Sequence, residues 1–223
     1  MREKIKLSGV PETMLQTVYA RAKESSGRGA IHDAKAEEII EKLDYDFSLA
    51  DKDTAMRSGV IARTIVLDKL TKSWLAAHSG AVVVNIACGL DTRCYRMSGY
   101  AHWYNLDLPE TMAVREKLLP ESGTISQIAM SAMEDWGGEI SEQNVPVLIL
   151  MEGLTMYLNA PLRGRCPEGA EGENLAIARN ISGSRTVLSP TACGRSPSGP
   201  GPSVASRHLP TLWGVTLAEG AKG

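Results

Sequence analysis

The sequence predicts an α/β fold: a doubly wound, mostly parallel sheet with a helical extension at its amino terminus. Two runs carry the prediction, Val82 to Ala87 and Val145 to Met151. Both are continuous and apolar, as strands buried on both faces must be. The third observation is order: strand, loop and helix alternate through the middle of the chain, the pattern of βαβ units.

The elements follow in turn. Asp33 to Leu43 reads as an amphipathic helix, with Ala36, Ile39, Ile40 and Leu43 on one face and Asp33 as its N-cap. A second helix is predicted over Ser58 to Ala77, with Val60, Leu67, Leu70 and Trp74 on one stripe and Gly80 ending the run. The first strand ends at the small-residue turn Ala87-Cys88-Gly89. His102 to Leu106 forms a second strand, and Pro109 and Glu110 suit the first turn of the helix after it. Ile125 to Met130 is a third strand, and the fourth is Val145 to Met151, with Pro146 at its start.

Composition bounds the function. At 223 residues the chain is long enough for one sizeable core. A net charge of −2 gives no basic face for nucleic acid, and no apolar run reaches membrane-spanning length. The amino terminus lacks the apolar core of a signal peptide, and the four cysteines include no C-x-x-C pair. Reduced thiols and a cytoplasmic location are expected, with neither disulfide framework nor metal site.

Each strand ends in polar residues on the side where a doubly wound sheet takes ligands. Gly89 and Asp91 follow the first strand, Asp107 the second, Ser131 to Asp135 the third and Glu152 the fourth. Asp107 suits the two hydroxyls of a ribose, or caps the helix at Pro109; Glu152 reads as a ligand contact or a solvated strand end. A dinucleotide fingerprint needs G-x-G-x-x-G, and only Gly89 is present after Ala87 and Cys88. S-adenosylmethionine has no pyrophosphate to cradle, so methyl transfer fits this turn better than hydride transfer. Cys88 reads as packing in a tight loop rather than as a catalytic thiol.

Six segments in series resemble one group of proteins. They are Leu7 to Thr13, Tyr19 to Glu24, Ala62-Arg63-Thr64, Cys88 to Arg93, Leu106 to Glu110 and Glu152 to Leu158. Together they resemble the leucine carboxyl methyltransferase family, in its bacterial branch of polyketide-biosynthesis O-methyltransferases, over residues 5–159. The resemblance implies the class I methyltransferase (Rossmann-like) fold, S-adenosylmethionine as cofactor and a small-molecule methyl acceptor. It implies that Arg63 pairs with the methionyl carboxylate, that Ala87 and Gly89 bring the backbone to the cofactor, and that Asp91 and Arg93 organise that loop. Asp107 would hold the ribose, Glu152 would sit at the amino or sulfonium side, and Tyr157 would face the substrate. An acidic residue after the third strand would read adenine, a place open to Glu134 or Asp135. The methyl group would pass to a carboxylate or hydroxyl oxygen. The four histidines, His32, His78, His102 and His208, lie outside these segments, which favours an acceptor already ionised at neutral pH.

Composition breaks near Asn159. Residues 160–223 hold 10 of the 21 glycines and 7 of the 11 prolines, and carry a net +3 against −5 for residues 1–159. Three segments are therefore expected: a helical region over 1–80 packing on the sheet, a cofactor-binding core over 81–159, and an atypical tail that is disordered or the product of a shifted reading frame near codon 160. The sheet is then expected to be truncated or replaced after the fourth strand, leaving that strand at an edge. The alternative function is a non-catalytic S-adenosylmethionine-binding fragment.

Overall fold

The computed structural model describes residues 10–154, 185–191 and 214–216. Four helices come first: α1 (Val10–Ser26), α2 (Ala34–Lys42), α3 (Ser48–Lys52) and α4 (Thr54–Ala77). The α/β part follows as β1 (Ala81–Ile86), α5 (Arg93–Arg96), β2 (Tyr100–Asp107), α6 (Pro109–Leu118), β3 (Ile125–Ala129), β4 (Val147–Met151), β5 (Arg185–Thr191) and β6 (Gly214–Thr216).

Local chemistry sets the helix starts. The Asp33 carboxylate accepts from Ala36 N at 3.0 Å at the head of α2. Asp53 does the same from Met56 N at 2.8 Å, so α4 begins four residues earlier than its apolar stripe alone indicates. Pro109 occupies the first turn of α6, where a missing amide costs nothing. Helix α1 buries Met14, Leu15, Val18 and Ala22 against Ile39 and Leu43 of α2 and Leu90 of the loop after β1.

The sheet order is β3-β2-β1-β4-β5-β6, parallel except for the β5–β6 pair. The expectation that the fourth strand lies at an edge is corrected here. β4 pairs in parallel with β5 from Val147↔Arg185 to Leu150↔Leu188, and β6 adds an antiparallel pairing from Ser189↔Thr216 to Thr191↔Gly214. β4 is an interior strand. Arg185-Thr186-Val187-Leu188 has the β-branched and apolar content that ladder formation favours, even inside a Gly- and Pro-rich stretch.

Side chains alternate across the sheet. Val82, Val84, Ile86, Tyr104, Leu106, Val147, Ile149 and Met151 share one core cluster with Trp136 and Ile140. Val83, Trp103, Leu148 and Leu150 share another with Leu67 and Leu75 of α4. On this second face lie Asn85 and Asn105, buried and directly opposite each other in the β1–β2 register. Among the described residues, no helix is long and apolar enough to cross a membrane.

Candidate functional site

The chain runs from β1 outward to β2 and β3, then returns to β4 on the other side of β1. The connections leaving β1 and β4 therefore diverge at their carboxyl ends, which opens the crevice where open α/β sheets take ligands. Ala87 to Arg93 follow β1, Asp107 ends β2, and Glu152 follows β4.

The β1 strand stops at Ile86 because the next residue turns left-handed. Ala87 has φ 53 and Gly89 has φ 48. Such a backbone costs an alanine about 1 kcal/mol and persists only where its surroundings hold it. At Gly89 a side chain would also meet Met14 Cβ at 3.1 Å, so the glycine serves both conformation and close approach. The loop is pinned at three backbone atoms. Gly89 N donates to Asp107 Oδ2 at 2.7 Å, Arg115 Nη1 donates to Gly89 O at 2.8 Å, and Arg21 Nη2 donates to Leu90 O at 2.7 Å.

Asp107 Oδ1 takes Leu108 N at 2.8 Å, so each carboxylate oxygen holds one backbone amide and keeps lone pairs for further donors. Burial raises the Asp107 carboxyl above the ordinary aspartate value, against the lowering effect of these amides.

Around the crevice, four arginines and four carboxylates form one connected network. Glu152 bridges Arg63 and Arg93: its Oε1 accepts from Arg63 Nε at 2.6 Å and its Oε2 lies 2.6 Å from Arg93 Nη1. Arg93 also pairs with Asp91 at 2.7 Å and Asp68 at 2.8 Å, with its side chain 2% exposed. Arg96 pairs with Asp68 and reaches Asp33 at 3.6 Å and Asp91 at 4.0 Å, while Arg21 holds Asp33 at 3.0 Å. Burial alone would raise the Asp91 and Glu152 carboxyls. The surrounding guanidinium groups, Arg93 foremost, more than reverse this and hold both low. Among the described residues Glu152 is Arg63's sole partner and meets only Nε, which leaves the two terminal nitrogens to offer a carboxylate.

Of the residues singled out in the sequence, Arg63, Ala87, Gly89, Asp91, Arg93, Asp107 and Glu152 meet at these strand ends. Asp135 does not join them: it is exposed in the loop after β3. That loop starts beside Asp107, where Met130 N donates to Asp107 O at 2.9 Å. The alternative acid, Glu134, turns back to accept from Ser131 N at 3.1 Å. Tyr157 lies outside the described residues. Cys88 is buried with its sulfur 3.9 Å from Met112 Sδ, and burial pushes its thiol well above the usual value, so no thiolate forms there near neutral pH.

The sequence reading missed Arg21, Asp68 and Arg96, which approach from α1, α4 and α5. It also missed the buried pair Arg115–Glu121 behind the loop. One signal was available: Asn85 and Asn105 interrupt otherwise apolar strands near the same end.

The model of the leucine carboxyl methyltransferase family matches residues 14–163. The chain belongs to that family. It is 40% identical over 162 residues to the tetracenomycin polyketide synthesis O-methyltransferase TcmP of Streptomyces glaucescens, covering 71% of this chain and 60% of that one. It is 30% identical over 176 residues to the S-adenosyl-L-methionine-dependent methyltransferase dpfgK of Gibberella zeae, covering 70% and 58%. The chain thus spans about three-fifths of the length of these relatives. Among solved structures, the N-methyltransferase NodS of Bradyrhizobium japonicum aligns at 12% identity with a TM-score of 0.43, over 72% of this chain and 74% of that one.

Proposed function

We propose that this protein is an S-adenosylmethionine-dependent O-methyltransferase acting on a carboxylate or hydroxyl oxygen of a small molecule. The observation that carries the reading is the meeting of Arg63, Gly89, Asp107 and Glu152 around the crevice between β1 and β4. Their chemistry fits the cofactor part by part. Arg63 has two terminal N–H groups for a carboxylate, and Glu152 is an anion held ionised for an ammonium or sulfonium. Asp107 keeps lone-pair capacity for a ribose hydroxyl beside the amides it holds, and it grips the Gly89 turn that borders the crevice. Tyr157 is assigned to the acceptor.

The cofactor supplies an electrophilic methyl group when bound. This chain's residues bind and orient: the Arg63–Glu152 pair fixes the amino-acid end, Asp107 fixes the ribose, and the pinned loop sets the depth of the site. An acceptor carboxylate reaches such a site already ionised and asks no general base of the protein, and in-line alignment supplies the rate gain.

Titration of the full chain with S-adenosylhomocysteine tests binding. Labelled methyl transfer to a panel of carboxylic acids and phenols tests catalysis. A micromolar or tighter complex with transfer to a member of the panel supports the reading; no complex refutes it. Binding without any transfer would favour a second reading, a non-catalytic cofactor-binding protein. The end of the family match at residue 163 of 223 supports that alternative.

A further inference from the structure

We propose that Arg115 and Glu121, neither of which faces the crevice, are positioning residues that set the cofactor loop from behind. The inference rests on the cofactor reading above, and it names how that site acquires its shape.

Both side chains are completely shut off from water. The guanidinium grips the Glu121 carboxylate by two edges, Nη2 to Oε1 at 2.5 Å and Nε to Oε2 at 3.3 Å. A buried ion pair is a poor device for stability, because desolving two charges costs about what their attraction returns. What distinguishes this one is the rest of its bonding. The third arm of Arg115, Nη1, donates to Gly89 O at 2.8 Å. Glu121 Oε1 accepts from Asn105 Nδ2 at 3.0 Å. Asn105 Oδ1 accepts from Asn85 Nδ2 at 3.4 Å, and Asn85 Nδ2 also donates to Asp91 Oδ2 at 3.0 Å. One ion pair therefore reaches the loop twice, directly at residue 89 and through two paired asparagines at residue 91.

At the first of these anchor points and two residues before it lies the left-handed backbone of Gly89 and Ala87. An alanine keeps such a conformation only when its neighbours over-determine it. Arg115 holds the carbonyl of Gly89 while Asp107 holds its amide, so the orientation of residue 89 and the acceptor geometry of Asp107 are set together. Loss of Arg115 frees that carbonyl to rotate and loosens the carboxylate assigned to the ribose.

The test removes the charges while sparing the packing. Arg115→Met with Glu121→Gln abolishes both charges, keeps an amide oxygen to accept from Asn105, and leaves Gly89 O without its donor. The full chain and this double variant are titrated with S-adenosylhomocysteine, and their melting curves are recorded. The expected result is a folded variant whose affinity falls tenfold or more. With an acceptor in hand, KM for S-adenosylmethionine rises while kcat at saturation and KM for the acceptor hold, a split that general destabilisation does not produce. A folded double variant binding within twofold of the parent overturns the proposal. Should the double variant not fold, Asn85→Leu decides: it removes the donor shared by Asp91 Oδ2 and Asn105 Oδ1, while Asp91 keeps Arg93 and Asn105 Oδ1 keeps Trp103 Nε1 at 3.0 Å. A several-fold loss of affinity supports the proposal there, and unchanged affinity overturns it. Failure of the unaltered chain to bind counts against the cofactor reading itself, a different result.

Discussion

The two faces of the central sheet are built from the same three strands and part company toward their carboxyl ends. On one, Val82, Val84, Ile86, Tyr104, Leu106, Val147, Ile149 and Met151 pack against Trp136 and Ile140 from end to end. On the other, Val83, Trp103 and Leu148 are apolar in the amino half, and the carboxyl half turns to Asn85, Asn105 and Asp107 beside Leu150, with Glu152 just past β4. The first face holds the fold together. The second does so for half its length and then turns polar, as the wall of the candidate site. Period-two alternation lets one strand carry both programmes, because residues one step apart answer to different neighbours.

The largest effects should separate the faces. Trp136→Ala on the dry face removes a fully buried ring and should cost about 3–5 kcal/mol of unfolding free energy, read by denaturant titration. The affinity of the remaining folded molecules for S-adenosylhomocysteine should not change. Arg93→Met on the polar face should cost a similar 3–5 kcal/mol, because Asp68, Asp91 and Glu152 lose their common partner, and it should also abolish binding in calorimetry. If both variants keep affinity, the division between faces fails.

Glu152→Gln is smaller. An amide keeps one acceptor, enough for Arg63 or Arg93 but not both, and no charge for an ammonium, so affinity should drop by about 1.5–3 kcal/mol and melting temperature should fall by less than in Arg93→Met.

Acid titration sharpens the contrast within the polar face. Asp107 has a raised carboxyl value, so it takes up a proton in the folded state before it would in the unfolded chain, and this step does not destabilise the fold. Asp91 and Glu152 are held low, so their stabilisation is complete above the ordinary carboxylate range and is lost as pH falls through and below it. On lowering the pH, ligand affinity should decline first and melting temperature second. Simultaneous loss would show that Asp107 is not the ligand's anchor.

Much of this was legible in the sequence because strands, caps and strand-end turns are local. Val82 to Ile86 announced a buried strand, Asp33 a cap, and Gly89 the turn that ends the strand. What stayed hidden is what arrives from a distance. Helix α1 spreads its apolar residues among Gln16, Lys23 and Glu24, so its stripe is weak, and nothing local shows that Arg21 ends on Leu90 O, 69 residues away. Arg115 looks like a solvated residue of α6 until the fold places Glu121 beside it. The sheet beyond β4 was legible only in part: Ser184 to Leu188 stands out as a short element, but Gly and Pro in the flanks hide that it pairs beside β4.

The pinning of residues 89 and 90 has a consequence for the order in which the molecule assembles. Their geometry depends on Arg21 from one end of the chain and on Asp107 and Arg115 from later elements, while the crevice closes with Arg63 and Glu152 across 89 residues. Contacts of such long sequence separation form late, after the loop-closure entropy has been met. Binding competence should therefore appear in the last phase of refolding, behind helix and strand signals, which makes a bound cofactor analogue a reporter of completed folding rather than of the sheet alone.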